Sequence, residues 1–514
     1  MWQTDIEGSQ QVLREAYEED PSLRQNAWCL AAEAEIVFYK YNGDETVENE
    51  TDLLNKLKEI EKAANVLYTQ NVPSGLIERY YTNKQTDSSL FLEALTLYAY
   101  YYLCLSMINF RKQERVKGSY YFRKSWKYFE KCSILICNRT AASLTSNPKI
   151  VGLVNFGCGL FHFLTSLIPP SMQFIVTLVG FVGDRKHALV EIESCVASGC
   201  TKSIEASMIL AILKKYFTDE QKEGDAILEK LQHNYSDSHM INYLCGFICR
   251  TTGEIERSIA HFQKCSYLTK EKLKSIQLFT TTQYHLGYCT FLQNDWEEAS
   301  KYFKNFLDQD ATSTGKRFRP YASYLLGFCY WKLNTKDIIP ALYKEALTWV
   351  REEQSYDIYA KRKIQQFLEQ NKFSEFDELA IPIMALLEGK QYETANKHLK
   401  ELLPIVMNNK TNGDLLGTYF FMKAGISNGL KICEKAKKLF MKVIKLEKEI
   451  FQETYLVPYS WLYLGEIEME QENWENAKNY FSKAKGYTNY DWAQLISFRL
   501  FSNSQKLETR MKQQ

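Results

Sequence analysis

The run from Ile150 to Gly183 holds 34 residues without one Asp, Glu, Lys or Arg and is interrupted by Pro169-Pro170. It reads IVGLVNFGCGLFHFLTSLIPPSMQFIVTLVGFVG. A stretch this long and uncharged belongs in a bilayer or inside a large protein core. Ile150 to Ile168 would make a helix of about 28 Å, just enough to span hydrocarbon, whereas Ser171 to Gly183 reaches only about 20 Å. Flanked by Lys149 and Asp184, a hairpin of these two arms would never reach the far side. Gly152, Gly157 and Gly159, beside Asn155 and His162, suit close packing of helices. The run predicts a buried helical hairpin, with a re-entrant or membrane-surface element as the alternative.

Composition agrees with an interior. The chain has 514 residues, 45% apolar and 24% charged, enough for several cores or one long repeat array. Net charge is +1, but Met1 to Lys62 holds 15 acidic residues against 6 basic ones. That balance argues against nucleic acid as a partner. The opening MWQTDIEGSQ has neither a basic-then-apolar pattern nor a glycine to myristoylate, and the closing TRMKQQ has no prenylation or retention signal, so no export is expected. Thirteen cysteines without a CxxC pair predict reduced thiols in cytosol or nucleus.

With 10 prolines, and apolar residues returning at spacings of three and four, the chain reads as almost wholly helical. In YSWLYLGEIEMEQENWENAKNYFSKAKGY, the residues Trp461, Leu464, Gly465, Trp474, Ala477, Phe481 and Ala484 are spaced as in a tetratricopeptide repeat. Small residues let two antiparallel helices approach, and Phe481 fills the space beside them. Leu286, Gly287, Trp296, Ala299 and Phe303 repeat that register, and Cys245, Gly246, Ile255, Ser258 and Phe262 do so more weakly. A fourth copy has Leu326, Gly327, Tyr343 and Ala346, with Ile339 where a small residue belongs. Tyr392, Ala395 and Leu399 look like the second half of a degenerate unit. Glycine spacings of 41 (Gly246 to Gly287) and 40 (Gly287 to Gly327) exceed the usual repeat length.

The fold expected is all-α, a tetratricopeptide-like helical-repeat solenoid with a buried apolar hairpin. Its divisions are an acidic helical region at 1–86 and a helical region at 87–230 containing the hairpin 150–183. Repeats follow at 239–272, 280–313 and 320–353, then a charged helical connector at 354–380. C-terminal repeats occupy 381–500, the best of them 458–491.

Together these features resemble the tetratricopeptide repeat protein 39 family, which includes the fungal inclusion-body clearance proteins. The resemblance runs from about Asp87 to Phe501. Its most specific residues are Gly157, Gly159 and Phe161, then Ser166, Pro169, Gly180, Phe181 and Gly183, followed by a helix from Arg185. It implies a non-enzymatic adaptor or scaffold linked to lipid homeostasis, protein turnover or inclusion-body clearance. It supplies no catalytic residue. The place expected from the reduced thiols is cytoplasmic, with nuclear presence or peripheral contact with lipid droplets or the outer mitochondrial membrane as further alternatives.

Chemical motifs are sparse. Cys245, Cys249, His261 and Cys265 have the ligand types of a zinc site, but the register places the cysteines where the next unit has Leu286, Thr290 and Phe306. They read as small core residues, so no metal or cofactor is expected. Gly157-x-Gly159 lacks both the third glycine and the preceding strand of a dinucleotide loop. No GxxxxGK[ST], HExxH or GxSxG pattern occurs, so no catalytic residue is assigned. Arg111 to Lys131 carries eight basic residues and two acidic ones among aromatics, a match for phosphates or anionic lipid. Helical spacing offers a milder account, in which Arg123, Lys124, Lys127 and Lys131 lie opposite a face of Tyr121, Ser125, Tyr128 and Cys132.

The first helices of the repeats carry an aromatic row at positions that line the concave groove of tetratricopeptide arrays. It comprises Tyr243 and Phe247, then Tyr284, Tyr288 and Phe291, then Tyr321, Tyr324, Phe328 and Trp331. A clamp for a terminal carboxylate needs Lys and Asn there, which disfavours chaperone tails. The row suits an apolar helix or acyl-type ligand, unless the hairpin or neighbouring helices fill it. On the open-groove reading, Tyr284, Tyr288 and Phe328 changed to Ser abolish partner capture and leave helicity intact. The expectation is a protein-binding adaptor of unidentified partner; the alternative is a peripheral or hairpin-anchored membrane or lipid-droplet protein.

Overall fold

The computed structural model describes residues 4–71, 88–137, 147–167, 184–218, 220–309 and 318–511, and the regular structure among them is entirely helical. The chain divides into two units, Met1–Ser236 and Asp237–Gln514.

The first unit contains α1 (Ile6–Glu19), α2 (Ala27–Gly43), α3 (Val47–Asn71), α4 (Ser88–Arg111) and α5 (Arg115–Cys137). It continues with α6 (Pro148–Ser166), α7 (Arg185–Ser198), α8 (Ser203–Phe217) and α9 (Gln221–Asn234). The first arm of the charge-free run is α6. It begins where the Asn147 side chain accepts the Lys149 N–H and Pro148 takes the first helical position, which needs no N–H donor. Its glycines admit the neighbours: a Cβ on Gly157 would stand 2.1 Å from the Phe129 ring of α5, and one on Gly159 would stand 2.8 Å from Ile192 of α7. Its polar residues also find partners on α7. Asn155 donates to Ser194 at 2.8 Å, and the His162 Nδ1 lies 2.7 Å from a Glu191 carboxylate oxygen. Both α6 and the Ser89–Arg111 stretch of α4 are long and apolar enough to cross a bilayer, and most of each is buried in this unit. The second arm, Ser171 to Gly183, lies outside the described residues, as does Pro169.

On α5, Ser125, Trp126, Phe129 and Cys132 turn inward, while Arg123, Lys127 and Lys131 are exposed. Lys124 is half-buried, its ammonium 4.1 Å from the centre of the Tyr102 ring. The basic segment is thus the outer face of an amphipathic helix.

The second unit is built from antiparallel pairs: α10 (His239–Thr252) with α11 (Ile255–Tyr267), α12 (Ile276–Leu292) with α13 (Trp296–Asp308), and α14 (Arg319–Lys332) with α15 (Ile339–Leu347). After a single helix, α16 (Ser355–Gln370), come α17 (Glu375–Glu388) with α18 (Tyr392–Asn408), α19 (Gly413–Gly429) with α20 (Cys433–Lys445), and α21 (Leu456–Glu470) with α22 (Trp474–Lys485). α23 (Ala493–Met511) follows. One contact recurs. Gly246 faces Phe262, Gly287 faces Phe303, Gly327 faces Tyr343 and Gly465 faces Phe481, each ring 16 residues beyond its glycine. The ring of the second helix thereby rests on bare backbone of the first.

The same register passes through α19 and α20, where buried Ala424, Ala436 and Phe440 stand at the equivalent positions, with alanine in place of the glycine. Ile383, Ala395 and Leu399 do the same for α17 and α18. The charged segment 354–380 proves to be more than a connector, since Ile364, Phe367 and Phe373 are built into the core formed by the first three pairs.

These clearances order an alanine series. A Cβ would meet Tyr343 at 2.3 Å from Gly327 and Phe481 at 2.4 Å from Gly465, but Phe262 only at 3.0 Å from Gly246. Alanine gains about 1 kcal/mol of helix propensity at each site, against about 1–3 kcal/mol for overpacking. Gly327→Ala and Gly465→Ala are therefore expected to lower the thermal midpoint, and Gly246→Ala to leave it nearly unchanged, as calorimetry of the three variants would show.

Candidate interaction face

The three helices that carry the aromatic row start on defined caps or turns. Ser238 accepts the Ile241 N–H ahead of α10, Ser275 accepts that of Leu278 ahead of α12, and Pro320 lies in the first turn of α14. Spacings of three and four residues then bring the row onto one side of each helix.

The structure assembles the row but closes it. Tyr284, Tyr288, Phe291, Tyr324 and Phe328 are all less than a tenth exposed, Phe328 completely buried. Tyr284 stacks on Phe318 at 4.3 Å between ring centres. Phe328 meets Phe373 at 5.1 Å, Tyr321 meets Trp492 at 5.1 Å, and Trp331 meets Phe367 at 5.9 Å. Of the nine row residues, these five belong to the core, covered by the chain's own α16 and adjoining segments. Leaving so many rings in water would expose a large apolar patch, and packing them removes that cost. Tyr243, Tyr321 and Trp331 remain half-buried, and Phe247 alone of the nine is well exposed, at 39%.

Polar groups fix this edge. The Arg250 guanidinium lies over both the Phe247 and Tyr288 rings, 5.2 Å from each centre, and its Nη1 donates to the Nδ1 of His285 at 3.2 Å. Because arginine can only donate, Nδ1 must carry the lone pair, so Nε2–H faces the Tyr243 hydroxyl, 2.8 Å away. Burial, aided by the Arg250 charge, pushes the His285 pKa well below its ordinary value, and the ring stays neutral. The Tyr288 hydroxyl donates to Glu388 at 2.6 Å.

Elsewhere in this unit Arg362 makes a bidentate pair with Glu453, at 3.0 and 3.2 Å, and a third bond to Asp491 at 2.6 Å. Lys363 reaches Glu453 at 2.9 Å and Asp377 at 3.3 Å. Asp414 secures the adjoining loop by accepting the N–H groups of Phe451, Gln452 and Glu453. None of these groups stood out in the sequence, because Arg362 and its acidic partners are 91 and 129 residues apart.

The cysteines weighed as zinc ligands have separate roles. Cys245 and Cys249 are buried on α10, Cys265 donates to the His239 carbonyl oxygen at 3.3 Å, and His261 pairs with Asn242 at 3.2 Å. Among the described residues, no three His, Cys, Asp or Glu side chains converge as a metal site.

Comparison with known proteins gives the family. The family model described as Iml2/Tetratricopeptide repeat protein 39 matches residues 46–388. The protein named Tetratricopeptide repeat protein ttc-39B from Caenorhabditis elegans is 20% identical over 449 residues, which cover 82% of this chain and 76% of that protein. Among solved structures, yeast Tom70 is 13% identical with a TM-score of 0.31, over 98% of this chain and 85% of that one. The tetratricopeptide domain of P58(IPK) is 11% identical with a TM-score of 0.23, over 88% of this chain and 98% of that one. The family match extends through α6 and the first three repeat pairs to the end of α17, and on that extent the chain belongs to the Iml2/Tetratricopeptide repeat protein 39 family.

Proposed function

We propose that the chain is a non-enzymatic adaptor that holds a protein partner at the exposed edge of α10, with Phe247 as the apolar anchor and Arg250 beside it. The observation that carries this reading is that five of the nine rings are buried, three are half-buried, and Phe247 alone is well exposed. An exposed ring held by a stacked guanidinium is pre-organised for contact, because aromatic and arginine side chains supply most of the energy at such interfaces. Partners brought together in the cytosol would then account for the roles in lipid homeostasis, protein turnover or inclusion-body clearance that the family resemblance implies. Burial of α6 favours peripheral over inserted contact with lipid-droplet or outer mitochondrial surfaces, so carbonate extraction should release the protein from membranes; retention in the pellet would favour the anchored alternative.

The test is quantitative proximity labelling with the wild type and Phe247→Glu. The expected result is loss of the specific neighbours at an unchanged thermal midpoint. An unaltered set of neighbours would place the contact elsewhere.

A further inference from the structure

Burial pushes several thiols of this chain upward, Cys132, Cys104 and Cys245 each to about 12. The thiol of Cys200 moves the other way, to about 5. The hydrogen-bonding contact with the Cys195 thiol is the largest cause; burial opposes it, and Ser198, the Lys202 backbone N–H and Ser203 add to it. Cys195, on the other side of that contact, is pushed up by it and by burial.

The geometry behind this is a tight turn. Cys195 lies in the last turn of α7, Gly199 ends that helix at φ +61°, and Cys200 precedes α8. The two sulfur atoms are 3.6 Å apart, and Ser203 Oγ approaches the Cys200 sulfur at 3.8 Å. The turn bears directly on the apolar helix: a Cβ on Gly152 of α6 would stand 2.0 Å from Ser198 Oγ and 3.2 Å from the Cys200 sulfur.

We propose that Cys195 and Cys200 form a peroxide-reactive dithiol site that closes to an intramolecular disulfide. It lies in a different unit from the α10 edge and stands independently of the adaptor reading. The Cys200 thiolate attacks one oxygen of hydrogen peroxide, the O–O bond breaks, and hydroxide leaves and takes up a proton to become water. Cys195 then loses its proton and attacks the sulfur of the Cys200 sulfenic acid. The S–S bond forms as the S–O bond breaks, and the departing oxygen leaves as a second water. Two thiols are oxidised and one peroxide is reduced. Exchange with an external dithiol returns both protons and reopens the site. Closing the sulfurs to about 2 Å draws on the α7–α8 turn against which Gly152 rests, so oxidation acts on the seat of α6.

The test treats the full-length protein with equimolar hydrogen peroxide at neutral pH and maps every cysteine by differential alkylation. The expected result is a Cys195–Cys200 disulfide, with loss of two hydrogens, at a turn where Cys200 keeps 6% of its surface exposed and Cys195 none, while exposed Cys137 and half-buried Cys433 remain thiols. Dithiothreitol should reverse it. In Cys195→Ser, dimedone should trap a sulfenic acid at Cys200; in Cys200→Ser, Cys195 should stay reduced. Oxidation of Cys137 or Cys433 while both turn thiols survive would overturn the proposal, as would a dimedone-negative Cys200 in folded Cys195→Ser.

Discussion

Phe328→Ser is expected to destabilise the second unit by at least about 3–5 kcal/mol, the range for removing a buried ring and leaving its cavity. The ring has no exposed surface and is held by Phe291 at 6.2 Å, Trp296 at 5.5 Å and Phe373 at 5.1 Å. Serine also buries a hydroxyl among those rings. Tyr284→Ser and Tyr288→Ser should behave similarly, and Tyr288→Ser further removes the donor that Glu388 accepts from. The three changes together would therefore lower helicity, which corrects the expectation that they remove only a binding surface. Urea unfolding followed by far-ultraviolet circular dichroism checks this, with Phe247→Ser as the contrast. That exposed position should shift stability by no more than about 0.5 kcal/mol.

The second large effect concerns the charges around Glu453. Burial alone would raise its carboxyl, but Lys363 and Arg362 outweigh burial and hold it at about 2, below the ordinary 4.5. As pH falls, the unfolded chain takes up the proton first, so the stabilisation present above about pH 5 is lost progressively down to pH 2. Asp491 works in the opposite direction, since burial raises its carboxyl despite Arg362. Glu453→Gln leaves two cations short of their shared partner, and breaking a buried pair of this kind costs about 3–5 kcal/mol. The variant should be less stable at neutral pH, and its stability should fall less steeply than that of the wild type between pH 5 and pH 2. Parallel pH profiles for the two proteins would contradict the assignment.

Local and periodic features of this fold were legible in the sequence. The helical reading came from apolar spacing, and the repeats came from glycines that face rings 16 residues onward, a contact made within one helix pair. Within the C-terminal repeats the α19–α20 pair carries a fainter signal, the run Ala424, Ala436 and Phe440 at the same offsets, because Ala424 replaces glycine. What covers the aromatic row was not legible. Trp492 reaches Tyr321 across 171 positions of chain, and no local pattern encodes such a contact. The segment holding Phe367 and Phe373 looked like a connector because its charges dominate its composition, yet its apolar residues decide where it packs. The polar residues of α6 had a similar explanation, since Asn155 and His162 meet Ser194 and Glu191 of α7.

Hydroxyl-radical footprinting of the isolated full-length chain tests most directly whether the centre of the aromatic row is interior and Phe247 on α10 is its most exposed ring. Phe247, Tyr267 and Phe451 are 39%, 54% and 77% exposed and should be modified readily, while Tyr284, Tyr288, Tyr324 and Phe328 should be protected. Modification of those four as fast as Phe247 would mean an open groove and would contradict the closed row.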